Sequence, residues 1–135
     1  MKRFLVILVL AVAASCGTGD PLSVCFEEVD RSLDCSNRVF LNVDLADRNL
    51  RNIDLSDADL WLATLTEAVL VGANLVEANL TEVTFQLADL TGAYLRRADL
   101  RGANLEGANL ERVKANGYTI WPEGFDPVAA GVIFG

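Results

Sequence analysis

Carboxylate and carboxamide side chains recur at a fixed interval along this chain, and they are its first candidates for chemistry. Aspartate or asparagine occupies ten positions separated by multiples of five: Asp44, Asn49, Asp54, Asp59, Asn74, Asn79, Asp89, Asp99, Asn104 and Asn109. Oxygen ligands of this kind suit calcium. Short polar side chains also bond neighbouring backbone groups and support turns. Because these residues keep the interval of a backbone repeat, we interpret them as turn supports.

The sequence contains few residues that could carry out other catalytic chemistry. The chain contains no histidine, so it lacks the commonest general base and the commonest metal ligand. No nucleophile has a base nearby in the sequence, and no glycine-rich phosphate loop follows a predicted strand. We therefore predict a protein that is not an enzyme, binds no cofactor and holds no metal.

Length and charge limit the class of protein further. The 135 residues suffice for one modest domain, and 52% of them are hydrophobic, which is typical of an ordered chain. The net charge of −8 repels nucleic acid and anionic lipid headgroups. We expect no nucleic-acid partner.

The N-terminus, MKRFLVILVLAVAASC, indicates export. Two basic residues precede an apolar run over residues 4–14. The run is too short to span a bilayer, which takes about 20 residues, and it is typical of a secretory signal. We predict a signal peptide at residues 1–15 and a protein exported to the cell envelope.

The end of this segment, Ala13-Ala14-Ser15-Cys16, resembles the lipobox of bacterial lipoproteins, in which the cysteine is lipidated. Ala13 replaces the leucine that usually stands three residues before the cysteine. The resemblance implies lipidation at Cys16, a lipidated linker at residues 16–22 and a membrane contact through that anchor. Simple cleavage near Ala14, giving a secreted or periplasmic soluble protein, is the alternative.

Cysteine parity fits the lipidated form. With Cys16 modified, Cys25 and Cys35 remain as a pair, which an oxidising compartment favours as a disulfide. Two small buried thiols are the alternative. The apolar residues Leu22, Cys25, Phe26, Val29 and Leu33 follow an amphipathic helical spacing. We expect a short helix or helical turn there, within an N-terminal cap at residues 23–37.

A five-residue register then takes over. Of the fourteen positions from 45 to 110 in steps of five, thirteen are leucine and one is Phe85, and ten of the residues two before them are alanine. Two apolar residues spaced i, i+2 share one face of an extended segment. The three residues between successive pairs must turn the chain, and a turn every five residues produces a solenoid.

The pattern A(D/N)LXX, as in VGANLVEANL and TGAYLRRADLRGANLEGANLERV, strongly resembles the pentapeptide-repeat family. The resemblance implies an all-β fold, a right-handed quadrilateral parallel β-helix over residues 38–117, with leucine and alanine pointing inward. The tail at residues 118–135 resembles a segment that closes many members. We expect Trp121, Phe125, Val132, Ile133 and Phe134 to cover that end.

Four repeats per coil would stack residues twenty apart. Asp59, Asn79 and Asp99 would then form a ladder rather than a calcium cage. Arg38 and Arg48 occupy positions where a small inward residue is expected. Because a buried unpaired arginine is costly, we expect the first coil to be distorted or open there.

The same stacking rule maps the outer surface. Leu41 and Trp61 would lie in one column with Leu62 beside them, and Thr81, Arg101 and Trp121 would continue it. Basic residues cluster in the last coils, and Arg97 would stack over Glu77. Exposed aromatic residues mark interaction sites, although isolated apolar side chains on a surface need no explanation. The predicted partner-binding residues are Leu41, Trp61, Leu62, Tyr94, Arg96, Arg97 and Arg101.

The sequence thus predicts a non-catalytic solenoid in the cell envelope, serving as a structural or protein-interaction module. Its protein partner is unknown, and a homodimer is an open alternative. Some members of the family are cytosolic mimics of duplex DNA that bind a topoisomerase. The acidic composition fits that alternative, whereas the export signal and the basic last coils oppose it.

Overall fold

The computed structural model describes residues 20–27 and 33–135. The predicted signal peptide, Cys16 and most of the predicted linker lie outside the described residues. Within them, the secondary structure consists of a 3-10 helix Pro21–Val24 and four two-residue strands: β1 Phe26–Glu27, β2 Leu33–Asp34, β3 Lys114–Ala115 and β4 Ile133–Phe134. Between β2 and β3 the chain makes single-residue bridges in place of longer strands.

Four-sided coils stack along an axis, because every bridge from Asp34 to Lys114 joins residues twenty apart in parallel. The four columns of bridges are Asp34-Asp54-Asn74-Tyr94-Lys114, Val39-Asp59-Asn79-Asp99, Asp44-Thr64-Thr84-Asn104 and Asn49-Val69-Asp89-Asn109. We call them faces 1 to 4. Neighbouring coils lie about 4.8 Å apart, as strands in a sheet do. The predicted stacking of residues twenty apart is confirmed.

The core of the solenoid consists of the leucine and alanine positions of the repeat. Every leucine position from 45 to 110 is buried, including Phe85, the largest fully buried side chain. The alanines two residues earlier are buried beside them except for Ala108, which is only partly buried. Stacking of this kind removes nearly all of each leucine surface from water, a gain of about 2 kcal/mol per side chain.

Each corner is a tight turn with one left-handed residue. The leucine carbonyl accepts a hydrogen bond from the amide three residues later, as in Ala63 N to Leu60 O at 2.9 Å. The residue two after the leucine has a positive φ at every corner from Asn37 to Arg112, the conformation that a type II turn requires there. Twelve of these sixteen residues are not glycine.

The recurrent aspartates and asparagines hold these turns. All ten accept a hydrogen bond at Oδ1 from the backbone amide two residues later, between 2.9 and 3.4 Å. Neighbouring coils link the side chains into ladders: Asn79 Nδ2 donates to Asp59 Oδ1 at 2.8 Å. Their predicted role as turn supports is confirmed.

The N-terminal end is closed differently from the prediction. A short helix over residues 22–33 is not confirmed: among the described residues a helical turn is present at Pro21–Val24, and β1 and β2 pair antiparallel. An amphipathic spacing does not distinguish a helix from two short paired strands. Cys35 is fully buried at an inward leucine position, and it forms a disulfide with Cys25. Leu22 is buried over the same end of the core.

The first coil is regular, so the distortion expected from Arg38 and Arg48 is wrong. Asp59 N donates to Arg38 O at 2.8 Å, and Val69 N donates to Arg48 O at 2.9 Å. Among the described residues no further coil lies above the Arg48 side chain, which is 42% exposed and pairs with Asp20 at 2.7 Å. An arginine is tolerated at this inward position because it belongs to an end coil.

The C-terminal end is closed by aromatic packing. One extra residue shifts the register after Lys114, so that Asp99 bridges Ile120, and Leu100 N donates to Ile120 O. Trp121 therefore takes the position beyond the inward Leu100, and its predicted place in the outward column of Trp61 is wrong. Trp121 stacks on Phe125 with ring centroids 5.4 Å apart.

Beyond this aromatic pair, Val132 is buried, and β4 pairs with β3 in parallel. Ile133 and Phe134, expected to cover the core, remain 50% and 46% exposed. That part of the predicted cover is wrong, because these residues form an edge strand whose side chains face solvent.

Candidate protein-interaction surface

Four large apolar side chains gather on the outside of the first two coils. Val39 lies on face 2, and Leu41, Trp61 and Leu62 follow at the next corner, between faces 2 and 3. Their exposed fractions are 52%, 45%, 44% and 40%. We call these four residues the tryptophan patch. They point outward because the leucine and alanine positions between them fill the core.

The backbone beneath the patch is rigid. Leu41 and Trp61 stack one coil apart, and Asn42 N donates to Trp61 O at 2.8 Å. Trp61 N donates to Asp59 Oδ1 at 3.2 Å. Leu62 has a φ of 59°, a conformation that branched apolar residues rarely adopt and that costs about 1–2 kcal/mol. An exposed leucine in a strained turn is therefore kept at this corner at a cost in stability.

Acidic residues border the tryptophan patch. Asp59 precedes Trp61 on face 2, Asp44 lies on face 3 in the first coil, and Glu82 stacks one coil beyond Leu62 at the same corner. The segment of residues 52–95 contains seven acids and no lysine or arginine. The patch thus lies against the acidic middle of the solenoid.

A second cluster lies on face 1 and the corner after it, in the last coils. Lys114 Nζ lies 4.3 Å from the ring centroid of Tyr94 and donates to its hydroxyl at 3.1 Å. That hydrogen bond lowers the pKa of Tyr94 below its ordinary value, and the charge of Lys114 adds to the shift. We call Tyr94, Arg96, Arg97, Lys114 and Tyr118 the basic face.

Arg97 links the basic face to the acidic middle. Its guanidinium lies 5.8 Å from the ring centroid of Tyr118, which is 77% exposed. Arg97 Nε also lies 3.4 Å from Glu77 Oε1, as the stacking rule predicts. An exposed pair of this kind contributes under about 1 kcal/mol, so these contacts order the surface more than they stabilise it.

Arg101 shares a column with Trp61 but not its surroundings. Two coils separate them, and Arg101 Nε donates to both carboxylate oxygens of Asp99, at 2.9 and 3.0 Å. The side-chain hydrogen bond lowers the pKa of Asp99 and raises the pKa of Arg101. The guanidinium is therefore occupied within its own turn.

The seven predicted partner-binding residues therefore fall into separate groups. Leu41, Trp61 and Leu62 are brought together, as are Tyr94, Arg96 and Arg97, while Arg101 stands apart. Sequence reasoning missed Val39 in the tryptophan patch and Tyr118 in the basic face, and it placed Lys114 in the basic cluster without naming it as partner-binding. Val39 could have been found, because it replaces the usual aspartate or asparagine in the centre of a repeat.

The part of the chain that the structure describes contains no group of three or more His, Cys, Asp or Glu side chains arranged to hold a metal ion. The described residues also include no helix with the length and hydrophobicity that a membrane crossing requires.

Comparison with known proteins bears on the fold. A family model for pentapeptide repeats matches eight copies, over residues 44–86, 62–97 and 78–117. The crystal structure of alr5209, a pentapeptide repeat protein from Nostoc Pcc 7120, is similar at 39% identity with a TM-score of 0.74. The match covers 76% of this chain and 84% of that one.

Two further solved structures are similar at lower scores. Rfr23, a pentapeptide repeat protein from the cyanobacterium Cyanothece 51142, has 35% identity and a TM-score of 0.47, covering 66% of this chain and 64% of that one. HetL from Nostoc sp. Strain PCC 7120, involved in heterocyst differentiation regulation, has 28% identity and a TM-score of 0.45, covering 66% and 56%. None of the curated protein sequences compared with this chain matches it significantly.

Proposed function

This chain belongs to the pentapeptide-repeat family, and on that premise we propose that it is an exported, non-catalytic interaction module. We further propose that it winds in the right-handed sense typical of its family, and that a lipid on Cys16 anchors it to a bacterial membrane. Members of the family are generally structural or interaction proteins rather than enzymes. The solenoid presents side chains on a stiff scaffold, which limits the entropy lost on binding.

The tryptophan patch is the observation that carries the interaction role. Trp61 is exposed there with Val39, Leu41 and Leu62 around it. A cluster of exposed large apolar side chains centred on a tryptophan supports a binding surface.

Affinity capture from native envelopes tests the interaction role. The bait is the full chain, and Trp61→Ala is compared with Tyr118→Ala, which removes a more exposed aromatic residue outside the patch. We expect a partner that the Trp61 variant loses and the Tyr118 variant keeps. Identical captures by all three proteins would refute the proposed surface.

The lipid anchor is tested separately. Cells expressing the full chain are labelled with a radioactive fatty acid, and the wild type is compared with Cys16→Ala. Label on the wild type alone is expected. An unlabelled wild type would leave the secreted or periplasmic form as the better description.

The cytosolic DNA mimic is the second candidate function, favoured by the base-free stretch of residues 52–95. A mimic needs a continuous track of negative charge, and the five bases of residues 96–114 interrupt it. Cell fractionation discriminates between the two functions, since a chain found in the cytosol would favour the mimic. Mass measurement in solution would show whether the chain forms a homodimer.

A further inference from the structure

The tryptophan patch combines an apolar centre with an acidic border, and this combination restricts what can cover it. Asp59 accepts hydrogen bonds at Oδ1 from Trp61 N at 3.2 Å and from Asn79 Nδ2 at 2.8 Å. The carboxylate is thus held in place against the Trp61 backbone. Asp44 is held in the same way on the next face, since its Oδ1 accepts from Ala46 N at 3.0 Å.

Two bases lie nearest the patch. Arg38, directly before Val39, already has a partner within the folded chain, and Arg101 is bound to Asp99 two coils away. The segment of residues 52–95, which contains Trp61 and Leu62, carries seven acids and no lysine or arginine. This part of the patch therefore lies in an acidic stretch of the chain, to which a cationic group is attracted.

Two other occupants fit less well. A bilayer with anionic headgroups would be repelled by the acidic border. A second copy of the chain carries the same net charge of −8, so the two molecules repel each other at long range. A cationic partner meets neither obstacle.

We propose that the tryptophan patch binds a cationic amphipathic segment of a partner protein. Its aliphatic side chains cover Leu41 and Leu62, and an arginine or lysine lies over the indole of Trp61 between Asp44 and Asp59. Trp is the best aromatic partner for such a cation. This inference rests on the proposed interaction role, for which it names the chemistry of the partner.

Fluorescence of Trp61 tests the proposal directly. The chain has two tryptophans, so Trp121→Phe leaves Trp61 as the reporter. The protein is titrated with a synthetic amphipathic peptide of leucine and arginine, with its leucine and glutamate counterpart, and with a serine and arginine peptide. We expect the first to bind at least tenfold more tightly than the others, a difference of about 1.4 kcal/mol, and to weaken as salt is added.

Matched variants identify the charges that matter. Asp44→Asn with Asp59→Asn removes two charges while keeping the oxygen that supports each turn, because asparagine does the same at Asn49 and Asn79. Asp89→Asn makes the same change on face 4, away from the patch. The double variant should bind the leucine and arginine peptide several-fold more weakly, and Asp89→Asn should bind as the parent does.

Several outcomes would overturn the proposal. They are equal binding of the glutamate peptide, no loss in the double variant beyond that of Asp89→Asn, binding to zwitterionic vesicles through Trp61, or self-association through Trp61. Capture of a native partner that binds Trp61 through an acidic or neutral segment would overturn the cationic inference and leave the proposed interaction role intact. A capture that Trp61→Ala does not change would remove the interaction role itself.

Discussion

The two ends of this solenoid solve the same problem with different chemistry. Both must cover leucines that have no further coil above them, because open ends expose core and strand edges. At the N-terminal end, the Cys25–Cys35 disulfide, the Arg48–Asp20 pair and one buried leucine, Leu22, form the cover. At the C-terminal end, the cover is the stacked pair of Trp121 and Phe125 together with Val132 and β4.

The difference teaches that the ends should respond to different conditions. A disulfide depends on redox state and an exposed ion pair depends on pH and salt. Aromatic packing depends on neither. The N-terminal closure therefore suits an oxidising compartment, in agreement with the proposed export, while the C-terminal closure would work anywhere.

The largest effect is expected at the C-terminal end. Trp121→Ala should lower the free energy of unfolding by about 3 kcal/mol, since a large side chain packed on the core leaves a cavity. Trp121→Phe is the matched control. Trp121 Nε1 is buried with no hydrogen-bond partner among the described residues, so phenylalanine should cost much less. Urea unfolding of both variants measures the difference, and equal losses would contradict the aromatic role.

Breaking the disulfide should weaken the opposite end by a slightly smaller amount. The bridge spans ten residues, and closing a loop of that size in the unfolded chain corresponds to about 2.5 kcal/mol. Reductant should raise hydrogen exchange at the Phe40 amide in the first coil and leave the Leu95 amide in the fourth unchanged. The Cys25→Ala/Cys35→Ala variant is the control, and any response of that variant to reductant would point away from the disulfide.

A substitution in the middle of the solenoid gives a stability change with which those at the two ends can be compared. Leu87 is 57% exposed and has a φ of 59°, so Leu87→Asn should stabilise the chain by about 1 kcal/mol, because asparagine tolerates this conformation. The Leu87 side chain lies over Gly107 in the next coil, since a Cβ added to that glycine would come within 2.7 Å of Leu87 Cδ2. Thermal unfolding measures the gain. Leu87→Ala should give no such gain, and equal behaviour of the two variants would locate the effect in lost apolar exposure.

The smallest effect concerns acid at the N-terminal end. The hydrogen bond from Arg48 lowers the pKa of Asp20 below its ordinary value. The stabilisation is therefore fully present above the ordinary pKa of about 3.9 and is lost as the pH falls through the lowered value. Both side chains are about half exposed, so the pair is worth under about 1 kcal/mol. Unfolding measured from about pH 5 down to about pH 2 should show a shallower acid loss for Arg48→Ala, and parallel curves for the two proteins would show that the pair does not contribute to the acid loss.

The sequence predicted the regular part of the molecule because every repeat there must fill the core and support a turn in the same way. Leucine and alanine at fixed positions predict the core, and aspartate or asparagine between them predicts the turn supports. The ends could not be predicted in this way, since each has its own arrangement of residues and shows no repeated pattern in the sequence. The residues at 22–33 have a helical spacing, but Phe26–Glu27 pair with Leu33–Asp34 beside the Cys25–Cys35 disulfide. The extra residue before Trp121 breaks the register without an obvious signal.

The candidate site was predicted in part for a related reason. Stacking of residues twenty apart brought Leu41 and Trp61 together and paired Arg97 with Glu77, both from the register alone. The register does not say how a long side chain turns, so it could not show that Arg101 binds Asp99 within its own turn. Val39 was missed because its position in the repeat was assigned to turn support.

Equal spacing of the coils fixes the distance between surfaces along the solenoid axis. The tryptophan patch and the basic face lie on different sides of the solenoid, between one and two coils apart from Trp61 to Arg96, and each coil adds about 4.8 Å for twenty residues. Duplication of one coil would move the two surfaces apart by one coil spacing without rotating either about the axis. A single-residue insertion would instead shift every later side chain out of its position in the repeat. The distance between two binding surfaces can thus be changed in discrete steps while their chemistry is left untouched.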